Sequence, residues 1–224
     1  MPKPTVRQSD AVEDYTKAIY ALEQRHGHAT TSGLAERLGV TPASASGMVK
    51  KLAGLGLVRH VPYRGVELTR DGERVALEVL RHHRLLEFYL AEDLGVPWDR
   101  VHDEAEVLEH VLSEELEEAI AAKLGDPARD PHGDPIPTRD GRVVERASRS
   151  LQALAPGDQG VFVRISDSDP EMLRYLSERG IAPGDTFEVV DKQPFEGPLF
   201  VRFGSDVHVL GGALAAAMRV EDPR

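Results

Sequence analysis

Residues 31–69 read TSGLAERLGVTPASASGMVKKLAGLGLVRHVPYRGVELT. Two short helical segments in this stretch are parted by a turn of only Gly39-Val40-Thr41. Thr31 is placed to cap the first segment, SGLAERLG, and Gly39 to end it. Thr41 followed by Pro42 opens the second, PASASGMVKKLAGLG, because the first helical turn has no use for the N–H that proline lacks. Past Gly56, LVRHV and GVELT are two β-like runs around Pro62-Tyr63-Arg64-Gly65. Upstream, Val12, Tyr15, Ile19, Tyr20 and Leu22 recur at helical spacing and supply a further helix. The sum is a helix-turn-helix with a wing.

From Arg70 to about Gly141 the pattern is again helical, with long runs over 71–93 and 98–124 broken by LGVPWDR. An acidic helix over 102–124 is expected to stop at Gly125-Asp126-Pro127. The stretch DPARDPHGDPIPTRDG is dense in Pro, Gly and Asp and reads as an ordered loop. Residues 142–156 read as a linker. Beyond them GVFVRIS, DTFEVVD, PLFVRF and DVHVLG alternate with turns, with one helix near 169–179, the pattern of a small β-barrel. The expected class is mainly α with a small all-β domain: 1–71, a winged helix-turn-helix; 72–141, a helical domain; 142–156, a linker; 157–224, the barrel.

The 224 residues are 41% hydrophobic, enough for several cores. Cysteine is absent, which excludes disulfides and thiolate metal sites and fits a reducing cytoplasm. The N-terminal MPKPTVRQSDAVEDY has no apolar run for a signal peptide, and no stretch approaches the ~18 apolar residues of a membrane span. A soluble cytoplasmic protein without membrane attachment is expected. The net charge of −11 is unevenly spread: residues 1–70 hold ten Lys/Arg against six acids, net +4, so the rest carries −15. A basic head on an acidic body can bind DNA, because phosphate attraction is local and screened beyond roughly 8 Å.

The second helix of the helix-turn-helix is the expected reader of DNA. Thr41, Ala43, Ser44, Ser46 and Gly47 lie early in it, where side chains reach base edges; Lys50 and Lys51 lie further along and meet phosphate. Small side chains there allow close approach to thymine methyls and offer few base hydrogen bonds. Arg59 and Arg64 on the wing would track the backbone.

His102, Glu106, Glu109 and His110 fall at i, i+4, i+7 and i+8, one face of a continuous helix. His83 and Glu87 form another i, i+4 pair, and the first helix offers Asp14. Taken singly each is an ordinary solvated charge, and His82, His26 and His28 are read that way. As a set, flanked by Val107, Leu108, Val111 and Leu112, they make a divalent-ion site. With no thiolate or thioether the donors are hard, favouring Mn²⁺ or Fe²⁺ over Cu⁺ or structural Zn²⁺. The absence of HExxH and a full set of protein ligands argue against a metallohydrolase and a small-molecule substrate.

Along essentially its full length the chain resembles the diphtheria toxin repressor family of iron- and manganese-dependent regulators. The resemblance is carried by EDYTKAIYALE at 13–23, LTRDGERVALEVLRHHRLLEFYL at 68–90, GVPWDRVHDEAEVLEHVLSEELEE at 95–118 and PHGDPIP at 131–137. It implies a homodimeric repressor of palindromic double-stranded operators, with dimerisation and metal binding in the helical domain and an SH3-like (FeoA-like) C-terminal barrel. It assigns Asp14, Glu106, Glu109 and His110 to a primary regulatory metal site. His83, Glu87 and His102 fall at an ancillary site, completed from the C-terminal domain by Asp169 or, next, Asp167. Iron-responsive members carry Met and Cys where this chain has Asp14 and Glu106, and manganese-responsive members carry acids, so Mn²⁺ is implied, with Fe²⁺ the alternative. Short manganese regulators place a Glu where this chain has Lys17, which sets their closely spaced two-metal arrangement apart from this one.

Overall fold

The computed structural model describes residues 9–61, 65–166 and 169–223. The chain divides into two compact units, the first comprising Met1–His82, Glu109–Val111 and Pro137–Arg142, the second His83–Leu108, Leu112–Ile136 and Val143–Arg224.

The first unit contains α1 (Asp10–His26), α2 (Thr31–Arg37), α3 (Pro42–Gly54), β1 (Val58–Val61), β2 (Gly65–Leu68) and the opening of α4 (Arg70–Glu92). Val12, Ile19, Leu34, Ala45, Leu52 and Val66 are fully buried and form its core, so the 3.6-residue periodicity of three helices is satisfied in one place. Thr41 caps α3 as expected, its Oγ1 accepting from Ser44 N–H at 3.1 Å. At α2 the cap is Thr30 rather than Thr31. Thr30 is the residue with extended backbone, and its Oγ1 accepts from Gly33 N–H at 3.0 Å. The wing strands pair antiparallel from Val58↔Leu68 to Val61↔Gly65. Gly65 is required there: its φ is 97° and a Cβ would stand 2.2 Å from the Ala29 carbonyl oxygen.

In the second unit, the remainder of α4 packs with α5 (Val101–Leu108) and α6 (Glu114–Lys123) through Leu85, Leu86, Leu90, Val101, Ala105 and Ile120. The single acidic helix expected over 102–124 is therefore two. Ser113 starts α6 with its Oγ accepting from Leu116 N–H at 3.3 Å, and Glu114, Glu115 and Glu117 fill the favourable first turn. Glu109, His110 and Val111 form the turn between the helices, so the i, i+4, i+7, i+8 face ends at Leu108.

The C-terminal part is a six-stranded antiparallel sheet of SH3-like type. In the order β3-β8-β4-β5-β6-β7 its strands are Arg149–Ser150, Arg219–Glu221, Gln159–Arg164, Thr186–Lys192, Leu199–Phe203 and Asp206–Leu210. Alternate residues of β6, Leu199, Val201 and Phe203, point into its core with Phe162 and Val189. The stretch read as a linker supplies β3 and the buried Leu151 and Leu154. Two short helices, α7 (Pro170–Ser177) and α8 (Gly212–Ala217), complete it. The Pro-Gly-Asp loop is ordered and lies against β4: Ile165 N–H donates to the His132 carbonyl at 3.0 Å. A Cβ on Gly133 (φ 87°) would stand 1.9 Å from the Val163 oxygen.

Candidate metal centres and nucleic-acid interface

In the first unit, α1 presents Asp14 to the turn that carries Glu109 and His110. Ligand atoms of these three lie within 4.8 Å of one another. His110 Nε2 is 2.9 Å from Asp14 Oδ1 and 3.6 Å from Glu109 Oε1. The other ring nitrogen, Nδ1, is 2.7 Å from Glu13 Oε2. Glu109 also accepts from Lys17 Nζ at 2.6 Å, and its side chain is wholly buried. Burial disfavours the imidazolium of His110, but the hydrogen bond to Glu13 and the charges of Asp14 and Glu109 outweigh it and raise its pKa. The cluster thus sets an imidazole and an ammonium against an excess of carboxylates. Oxygen and nitrogen donors converging from two chain segments suit a divalent ion.

The second unit gathers another set around Glu87. Its Oε1 is 3.0 Å from His83 Nε2 and 3.3 Å from His102 Nδ1. Burial opposes the charge on Glu87, yet the surrounding imidazoles hold its pKa well below the usual carboxylate range. Glu106 stands beside the same imidazoles, its Oε1 3.9 Å from His83 Nδ1 and 3.8 Å from His102 Nε2. Of the four residues assigned to one site by resemblance, the structure thus brings three together in the first unit and puts Glu106 with His83 and His102 in the second.

Two functional candidates escaped the sequence reading. His132 and Asp130, both buried in the Pro-Gly-Asp loop, join Glu87 in a third ligand group. His132 Nε2–H donates to the Trp98 carbonyl at 2.7 Å, which turns Nδ1 toward Glu87 Oε2, 3.7 Å away. Burial works against its charge, but Glu87 and Asp130 push its pKa up to about 9. Asp130 is raised well above the ordinary range, by burial first and then by Asp134 and Glu87. The only cue was a histidine between Pro131 and Gly133. His82, read as solvated, is buried, whereas His26 is exposed as expected. Asp169 caps α7, its Oδ1 accepting from Glu171 and Met172 N–H; Asp167 lies outside the described residues.

On α3, Ala43, Ser44, Ser46, Gly47, Lys50 and the adjoining Lys51 are exposed, with Thr41 at its N-terminus. Ala45 and Leu52 turn inward. Arg59 is exposed but bound at 2.6 Å to Glu67, its partner across the wing, so part of its charge is spent locally. Arg64 lies outside the described residues.

A winged helix-turn-helix with an exposed recognition helix, joined to carboxylate–imidazole clusters, defines the class: a metal-dependent DNA-binding repressor. Residues 8–66 match the N-terminal DNA-binding domain of iron-dependent repressors, 69–138 their metal-binding and dimerisation domain, and 149–222 the FeoA domain. The chain is 32% identical to the diphtheria toxin repressor of Corynebacterium efficiens over 95% of each protein. It is 31% identical to the iron-dependent repressor IdeR of Mycobacterium tuberculosis, over 95% of this chain and 97% of that one. The chain belongs to this family of iron-dependent repressors. Among solved structures it is similar to a manganese-dependent transcriptional repressor in complex with manganese (44% identity, TM-score 0.84, 94% of this chain and 99% of that one). It is also similar to IdeR of T. acidophilum (27%, TM-score 0.75, 99% and 100%). Among the described residues, no helix is long and apolar enough to cross a membrane.

Proposed function

We propose that the chain is a manganese-responsive cytoplasmic repressor, without catalytic activity, that binds palindromic operators as a homodimer. The convergence of Asp14, Glu109 and His110, with no sulfur donor among them, carries the reading. Hard oxygen and borderline nitrogen donors leave coordination adaptable, which suits Mn²⁺. Its 44% identity to a repressor solved with manganese supports the same ion. Fe²⁺ is the second reading, favoured by the relatives named iron-dependent.

Asp14 on α1 and Glu109 and His110 beyond α5 would hold the primary ion. Resemblance assigns Glu106 to the same ion; its Oε1 stands 3.8–3.9 Å from His83 and His102. His83, Glu87 and His102 would hold the ancillary ion, with Asp130 and His132 bordering Glu87 and a further carboxylate, Asp169 or Asp167, from the C-terminal domain. Bound metal supplies the positive charge that lets these carboxylates stay close. Without it, Asp14 and Glu109 repel and α1 is less firmly tied to the turn at 109–111. Tying α1 orders the head that carries α3, so metal and operator binding reinforce each other reciprocally. Val107, Leu108 and Leu116 are exposed apolar side chains within the matched dimerisation segment and fit a subunit interface.

The test is operator binding by fluorescence anisotropy, titrated with Mn²⁺, anaerobic Fe²⁺, Co²⁺ and Zn²⁺. Half-activation by Mn²⁺ with at least a tenfold loss in chelator supports the reading. Equal affinity with and without metal removes it.

A further inference from the structure

An acid outside the metal trio touches His110. Glu13 Oε2 lies 2.7 Å from His110 Nδ1, and the two side chains, 97 residues apart, are 13% and 12% exposed. An imidazole has two nitrogens, and a hydrogen bond at one fixes what the other can do. Here they face different partners. Nε2 points at Asp14 and Glu109, the latter wholly buried; Nδ1 points at Glu13. A carboxylate 2.7 Å from Nδ1 accepts a hydrogen bond from it, so Nδ1 keeps its N–H, and Nε2, 2.9 Å from Asp14 Oδ1, is the nitrogen left to give its lone pair to an ion in the trio.

We propose that Glu13 is a positioning residue: it holds His110 in the Nδ1–H tautomer and aims Nε2 into the site formed with Asp14 and Glu109. This rests on the proposed reading that those three hold the regulatory ion. Such outer carboxylates fix ring orientation and raise ligand basicity, and their loss lowers metal affinity about 10–100-fold. The neighbouring arrangement Asp10–Glu13–His110 also has ligand composition. Asp10 is exposed, however, and an ion there would take Nδ1 and leave Glu13 as a ligand rather than an acceptor. A third role, a plain ion pair pinning residues 109–111 to α1, would change stability without changing the ring's tautomer.

The experiment uses full-length protein with Glu13→Gln, Glu13→Ala and Asp14→Ala. Mn²⁺ binding is measured by isothermal titration, and the ring is read by ¹⁵N-histidine NMR of the Zn²⁺-loaded forms. The Gln side-chain carbonyl still accepts from Nδ1–H, whereas alanine does not. Expected are affinity within about threefold of the parent for Glu13→Gln and a 10–100-fold loss for Glu13→Ala. The slowly exchanging Nδ1–H signal should be kept in the first and lost in the second. Unchanged affinity in Glu13→Ala, or a persistent Nδ1–H signal in it, overturns the proposal. So does a Glu13→Gln variant as impaired as Asp14→Ala, which would make Glu13 a ligand. If Asp14→Ala itself leaves the isotherm untouched, the siting of the regulatory ion fails instead.

Discussion

Lys17 Nζ lies 2.6 Å from Glu109 Oε1, the same oxygen that is 3.6 Å from His110 Nε2. An ammonium tethered on α1 thus faces the wholly buried carboxylate that the proposed metal site requires. Removing it should have two opposite effects. Lys17→Met leaves Glu109 less compensated in the metal-free protein, costing about 1–3 kcal/mol, at the low end because Lys17 is itself part-exposed. It also removes a positive charge that opposes a cation, so Mn²⁺ should bind about tenfold tighter and raise the melting temperature more than in the parent. Thermal melts with and without Mn²⁺ check both. Weaker Mn²⁺ binding in the variant would mean that Lys17 serves to hold Glu109 in place.

The two clusters predict unequal variants. His110 offers its Nε2 to a trio that joins α1 to residues 109–111, so His110→Ala should abolish metal-activated operator binding in a protein that stays folded and dimeric. His83 is one of several imidazoles around Glu87, and His102 and His132 remain when it is removed. His83→Ala should therefore shift half-activation by less than tenfold. Operator titrations with Mn²⁺, alongside sedimentation for the dimer, separate the cases; equal damage would invert the ranking of the two sites.

The elements whose signals are local were legible in the sequence. The Thr41-Pro42 start, the glycine that opens β2 and the long periodicity of α4 each depend on residues adjacent in the chain. The break between α5 and α6 was missed because the acidic pattern runs through it; Ser113 followed by glutamates was the signal that a new helix begins. That break decides the site, since it parts Glu109 and His110 from the helical face carrying His102 and Glu106. Glu13 and Lys17 could not be read from spacing, as their partners are 97 and 92 residues away. His132 was hidden for the same reason: its contacts to Trp98 and Glu87 are products of tertiary packing.

DNA contact is testable through salt. Lys50 is exposed on α3, whereas Arg59 shares its charge with Glu67. If Lys50 neutralises one phosphate, Lys50→Ala should reduce the slope of log K against log salt by about 0.9. Arg59→Ala should reduce it by less, because Glu67 already competes for the guanidinium. Anisotropy over a salt series, at saturating Mn²⁺, gives the slopes. An unaltered slope for Lys50→Ala removes that residue from the interface.

Choice of ion is the most exposed consequence of the proposed reading. By resemblance, Asp14 and Glu106 stand where iron-responsive relatives carry Met and Cys. Asp14 Oδ1 lies 2.9 Å from His110 Nε2, so a change there alters the trio directly. Glu106 stands beside His83 and His102, so its change will also be felt by the second set. A thioether and a thiolate favour softer, later metals over Mn²⁺. The double variant Asp14→Met with Glu106→Cys should shift activation from Mn²⁺ toward Fe²⁺, Co²⁺ or Zn²⁺. It also removes negative charge, so Mn²⁺ should bind more weakly outright. The measurement is operator binding against each metal under anaerobic, reducing conditions, read as the ratio of half-activating concentrations. The single variants apportion the shift: Asp14→Met alone should weaken Mn²⁺ activation, and Glu106→Cys alone should raise the response to Co²⁺ or Zn²⁺. If all ions lose affinity in parallel and the ratio stays fixed, selectivity lies in the geometry around Glu109 and Lys17 rather than in these two side chains.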